Sequence, residues 1–132
     1  MRVLALDYGS ARCGCAISDP TGTIVTPIDP VTQPGTRRGL GRLAALARER
    51  GAELILVGLP LGLDGADTAQ TRETRAFAER LAGRLGEEVP VQLYDERFTT
   101  RIAQRLGRDS RAAEDSRAAA HLLEDWLAAG AR

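Results

Sequence analysis

Short blocks of apolar residues set the rhythm of the first third of the chain. Val3–Leu6 and Cys13–Ile17 predict strands over Arg2–Asp7 and Cys13–Ser18, joined by a tight turn at Gly9–Arg12. Asp19-Pro20-Thr21-Gly22 predicts a second turn and Thr23–Ile28 a third strand. A polar loop then runs to Thr36, the predicted N-cap of a helix reaching about Arg50, in which Leu40, Leu43, Ala44 and Ala47 recur at helical spacing. "ELILVGLP" predicts a buried strand that stops at Gly58–Pro60, because proline cannot continue a ladder. In the loop "LGLDGADTAQ", Asp67 and Gln70 have the spacing of a capping box, and the helix beyond puts Phe77, Leu81 and Leu85 on one face. A fifth strand ends at Tyr94, before Asp95-Glu96. Thr99 or Thr100 caps a short helix to about Leu106, and a last helix spans Asp115–Ala128 with Ala119, Leu122, Leu123 and Trp126 inward.

This β-β-β-α-β-α-β-α-α order predicts an α/β fold. An antiparallel three-stranded meander is extended by two parallel strands and flanked by helices. At 132 residues the chain is expected to be one domain, and 43% hydrophobic content excludes a disordered protein. It has neither an apolar run long enough to span a membrane nor a signal peptide, so a cytoplasmic protein is expected. Formal net charge is +0, so composition alone does not announce a nucleic-acid binder. All 18 basic residues are arginine, which suits phosphate partners but follows as readily from GC-rich codons. Cys13 and Cys15 share one face of a strand. That spacing makes a poor disulfide, and with no further cysteine it makes no zinc site, so both are expected to be buried and reduced.

Acidic residues gather at three element ends. Asp7 ends the first strand, Asp95 and Glu96 follow the fifth, and Asp115 opens the last helix. Ligands of such sheets bind beyond the carboxyl ends of the parallel strands, where these acids would meet. Clustered carboxylates repel unless a cation sits among them, and oxygen-only ligands suit Mg²⁺ or Mn²⁺. Such a site activates water and bridges a scissile phosphate. Each acid alone has a plainer reading: Asp7 as a turn former before Gly9, Asp115 as a helix N-terminal charge, and Asp95-Glu96-Arg97 as a solvated cluster.

The segments "ALDYGSARCGCAISD", "LVGLPLGLDG", "DERFTT" and "EDSRAAAHLL" resemble, in order, the signature segments of the YqgF/RuvX family. The resemblance implies an RNase H-like nuclease domain over residues 1–132. It implies either maturation of the pre-16S rRNA 5′ end or Holliday-junction resolution. Asp7 matches the acid of the family's first-strand motif, Glu96 the acid of its Asp-Glu-Arg motif, and Asp115 the acid opening its last helix. These three are the expected metal ligands and catalytic residues, with Asp95 a fourth or supporting ligand. Arg12 and Arg97, next to the acids, and Arg101 are the expected phosphate contacts. The sequence departs from the family pattern at Ala11, Cys13 and Gly62, and in having arginines where lysines are usual before the last helix.

Other features bear on the same question. Arg101, Arg105 and Arg108 follow Arg97 at helical spacing, as a phosphate track or a solvated face. "GLPLGLDG" reads either as a rim loop, with Gly58 and Gly65 allowing close backbone approach, or as a plain strand exit. His121 lies too far round the helix from Asp115 to act with it. Trp126 reads as core or dimer contact, and 4% aromatic content argues against binding by base stacking. "LDYGSARCG" also resembles the first phosphate motif of the actin/Hsp70/sugar-kinase superfamily. Those proteins need two such domains, so no nucleotide cofactor is expected. A third reading is a non-catalytic nucleic-acid-binding module, against which the retained acids stand. The expected partner is structured RNA or branched DNA. Resolving a junction symmetrically would require a homodimer.

Overall fold

The computed structural model describes residues 1–95 and 111–131, with only the helical backbone described for 111–115. Five strands form one mixed sheet: β1 (Val3–Tyr8), β2 (Arg12–Ser18), β3 (Val25–Thr32), β4 (Leu54–Leu59) and β5 (Val91–Asp95), in the order β3-β2-β1-β4-β5. The β1–β2 and β2–β3 pairs are antiparallel, and β1–β4 and β4–β5 are parallel, as expected from the element order. β1 is buried on both faces, which is why Val3–Leu6 reads as an unbroken apolar run.

Helices α1 (Arg37–Glu49) and α2 (Ala69–Leu85) cover one face. There Leu4, Leu6, Cys13, Cys15, Ile55 and Val57 meet Leu40, Leu43, Phe77 and Leu81. Helix α3 (Arg111–Ala128) covers the other, with Leu122, Leu123 and Trp126 against Val3, Ala5, Leu54 and Leu56. Ala119 and Ala120 pack on Ala16, so α3 approaches β2 through small residues. Trp126 is core, only 2% exposed. Cys13 and Cys15 are buried and not disulfide-bonded, as expected. No helix among the described residues is long and apolar enough to cross a membrane.

The boundaries that differ most from those predicted are those of β3, β5, α2 and α3, while β1 and β2 shift by one residue. β3 begins and ends later, running through Pro27 and Pro30 to Thr32. It is an edge strand, where missing N–H donors are tolerated. β5 includes Asp95, which pairs with Leu59. The cap of α2 is Thr68 rather than Asp67, and its box is closed by Thr71 rather than Gln70. The Thr71 amide donates to the Thr68 hydroxyl (3.2 Å) and the Thr68 amide to the Thr71 hydroxyl (3.0 Å). Asp67 instead takes two hydrogen bonds from Arg75, at 3.0 and 3.1 Å, which hold its carboxyl below the usual range. α3 begins at Arg111, not Asp115, because Arg-Ala-Ala-Glu are good helix formers. Asp115 therefore lies in the second turn, where the helix-dipole reading no longer applies. The predicted helix after Thr99 or Thr100 lies outside the described residues.

Candidate active site

Asp7 arrives at the carboxyl end of β1 by strand alternation. Leu4, Leu6 and Tyr8 pack towards α1 and α2, and Val3 and Ala5 towards α3, so Asp7 belongs to the α3 face. It is half-buried. Its antiparallel partner is Gly14, and on the other side Gly58 follows Val57, the residue in register with Leu6. The positions level with Asp7 on both adjoining strands are therefore glycines.

Helix α3 runs antiparallel to β1. The Ser116 hydroxyl donates to the Ile28 carbonyl (2.5 Å), whereas Leu127 lies by Gly22 at the opposite end of the sheet. The first turns of α3, carrying Asp115 on their backbone, are thus at the end where Asp7 stands. Arg12 opens β2 opposite Thr32, just beyond the β1–β2 turn, and is half-buried.

β5 is parallel to β1 through β4, so both strands end at the same rim, as expected. Asp95 itself is on the other face: Val91 and Leu93 pack with α1 and α2, Tyr94 with α3. Glu96, Arg97 and Arg101 lie outside the described residues, as do Arg105, Arg108 and the side chain of Asp115. Among the described residues no three His, Cys, Asp or Glu side chains are placed to hold a metal ion. The donor chemistry nevertheless fits a hard cation. Asp7 offers carboxylate oxygen, while the soft sulfurs of Cys13 and Cys15 are buried on the opposite face. His121 is partly buried, with Nδ1 3.8 Å from a Glu124 oxygen.

The loop after β4 occupies the same rim. Gly62 donates to the Ala66 carbonyl (2.9 Å), Gly65 to the Gly62 carbonyl (2.8 Å), and the Ala66 amide to Asp64 (3.0 Å). The Thr71 hydroxyl fastens its base to the Pro60 carbonyl. Gly65 has φ 82°, a conformation that favours glycine, so this segment is a built loop at the rim.

One contact beside the site has no local sequence signal. The Tyr94 hydroxyl donates to Asp125 (2.5 Å), joining the end of β5 to α3 across 31 positions. This bond, with burial and the Asp125 charge, pushes the phenol up to about 12. A raised phenol pKa means its stabilisation is complete below the unfolded value near 10 and is lost as pH rises from 10 to 12. Tyr94→Phe should therefore cost about 1–2 kcal/mol at pH 7. Urea melts should show the wild type losing that margin between pH 9 and 12 (roughly the window set by linkage) while the variant does not. Equal alkaline sensitivity of the two proteins would exclude the linkage.

A sequence profile described as "RuvX: Holliday junction resolvase" matches residues 1–129. An Anaeromyxobacter sp. protein described as "Putative pre-16S rRNA nuclease" is 41% identical over 134 residues, covering 96% of both chains. Among solved structures, the fowlpox virus resolvase bound to Holliday junction DNA superposes with a TM-score of 0.62 at 11% identity, over 100% of both chains. T. thermophilus RuvC in complex with a Holliday junction substrate gives 0.57 at 17% identity, over 99% of this chain and 96% of that one. These two likenesses are of fold, the RNase H-like arrangement that the strand order already describes. With a profile match over nearly its whole length and a relative at this identity, the chain belongs to the RuvX family.

Proposed function

We propose that this protein is a divalent-metal-dependent nuclease that hydrolyses phosphodiester bonds of precursor 16S rRNA in the cytoplasm, with residues 1–132 acting as one domain. The observation that carries the reading is Asp7. Its carboxylate stands at the carboxyl end of the central strand, between two glycine positions, at the end of the sheet where α3 begins.

Asp7, Glu96 and Asp115 are the proposed ligands of Mg²⁺ or Mn²⁺. Strand alternation favours Glu96 over Asp95, because Asp95 faces away from Asp7. When bound, a divalent cation lowers the pKa of water and offsets charge at the phosphate. The chain supplies the rest. Gly14, the register partner of Asp7, brings no side chain of its own to the carboxylate. Arg12 and Arg97 orient the phosphate through forked hydrogen bonds, and Arg101 extends that contact along the strand.

A second reading, cleavage of four-way DNA junctions, draws on the description of the family. One assay separates them. Purified protein with Mg²⁺ or Mn²⁺ is given a precursor rRNA fragment, single-stranded RNA, single-stranded DNA and a four-way junction. Cleavage of the precursor near the mature 5′ end, lost in EDTA and restored by either ion, is the expected result. Paired symmetric nicks in the junction alone would establish the resolvase reading instead. Metal-independent cleavage would overturn the proposed chemistry.

A further inference from the structure

The same end of the sheet carries a second concave surface, on the face opposite Asp7. A cleft of about 430 Å³ is lined by Tyr8, Ser10, Gln33, Thr36, Glu73 and Arg80, among others. The Tyr8 ring stacks on Phe77 with centroids 4.3 Å apart, and its hydroxyl donates to Glu73 (3.0 Å). Gly35 keeps the space open, since a Cβ there would come 3.1 Å from the Tyr8 hydroxyl.

Arg80 lines this cleft, and two further arginines follow Thr36 of its lining in the chain. Arg37 and Arg38 follow the Thr36 cap and are exposed, and Arg84 reaches over to donate to the Arg37 carbonyl (3.3 Å). Among the described residues, no carboxylate pairs with Arg37, Arg38 or Arg80. Glu73 is the one acid among the described residues that line the cleft. Two cations in the first turn of α1, with no acid there, oppose the positive end of the helix dipole. An uneven placement of this kind in a chain of net charge +0 disfavours the isolated protein and favours an anion alongside.

We propose that this cleft binds the sugar–phosphate backbone of the substrate beyond the scissile bond, so that one strand crosses the β1–β2 turn from the Asp7 face to the α1–α2 face. The proposal rests on the nuclease reading and adds a direction to the substrate's path. Gly9 sits at the crossing, where a Cβ would lie 2.8 Å from the Arg12 carbonyl oxygen, so the turn stays low. Guanidinium forks around a shallow, open cleft suit phosphates.

The test compares two labelled RNAs, a stem-loop carrying a single-stranded extension and the same stem-loop without it. Binding is followed by anisotropy in EDTA across a salt series, so the readout survives even if no nuclease activity is found. The Arg37→Glu/Arg38→Glu variant should bind the extended RNA at least about ten-fold more weakly, with a salt slope shallower by about 0.7 per lost contact. Its affinity for the bare stem-loop should change far less. Its Tm should rise by a few degrees, because acids complement the helix end. Arg80→Ala, outside α1, should weaken the extended RNA selectively as well. Equal loss on both RNAs, or a wild-type protein indifferent to the extension, would overturn the proposal.

Discussion

Asp7→Asn should lower metal-dependent RNA cleavage by at least about 10³-fold while leaving the fold in place. The amide has the shape of the carboxylate and keeps its place at the end of β1, but a neutral oxygen is a far weaker donor to a hard cation. If Glu96 and Asp115 share the site, removing one of three negative charges relieves repulsion between the others. The melting temperature should therefore stay within a few degrees of wild type, in keeping with a half-buried position whose strand neighbours on that face are glycines. Single-turnover cleavage at saturating Mn²⁺, with circular dichroism on the same samples, measures both halves. A rate within ten-fold of wild type (about 1.4 kcal/mol of barrier) would remove Asp7 from the site.

The largest stability effect among the glycines should come from Gly39→Ala, at about 3 kcal/mol destabilising. Gly39 is buried in α1, and a Cβ there would lie 2.1 Å from the Gln33 carbonyl oxygen and 2.7 Å from Pro34 Cα. Both are backbone atoms, so no side chain can swing away. Moving that loop would disturb the bonds that close it. The Thr36 amide and hydroxyl both donate to the Gln33 carbonyl (3.2 and 2.8 Å), and the Gln33 amide donates to Ala11 (2.8 Å). Gln33 already holds φ 46°, with little freedom left. Gly83→Ala should have the opposite sign. It is an exposed interior position of α2 with nothing within 4 Å of a new Cβ, so alanine should gain up to about 1 kcal/mol. Urea melts of the two variants side by side check the contrast, and a stabilised Gly39→Ala would mean that α1 does not approach the loop this closely.

Much of the fold was legible because burial writes itself into spacing. Leu40, Leu43, Ala44 and Ala47 announce α1, and Phe77, Leu81 and Leu85 announce α2, each group buried where expected. The misreadings share a cause, a distant partner that decided between local candidates. Thr68 prevails over Asp67 as a cap because Thr71 returns its bond while also reaching the Pro60 carbonyl, and Arg75 takes Asp67. β3 survives two prolines because only one side of it needs a ladder. Of the candidate site, the placement of Asp7 at the sheet rim was legible, from a strand ending in an acid. The sidedness of Asp95 was not, since it depends on which face Leu93 and Tyr94 bury. The glycines beside Asp7 could be recognised as its neighbours only once strand register was known.

Pro27 and Pro30 have a consequence for how copies of this protein can meet. β3 is a border of the sheet, and each proline removes a donor from its backbone. An incoming strand would find an interrupted row of partners, so two sheets cannot fuse into one along this side. Symmetric cutting of a four-way junction needs paired active sites, and any twofold pairing that serves it must use a surface other than the β3 border. The same gaps make the β3 border a poor template for adding strand after strand.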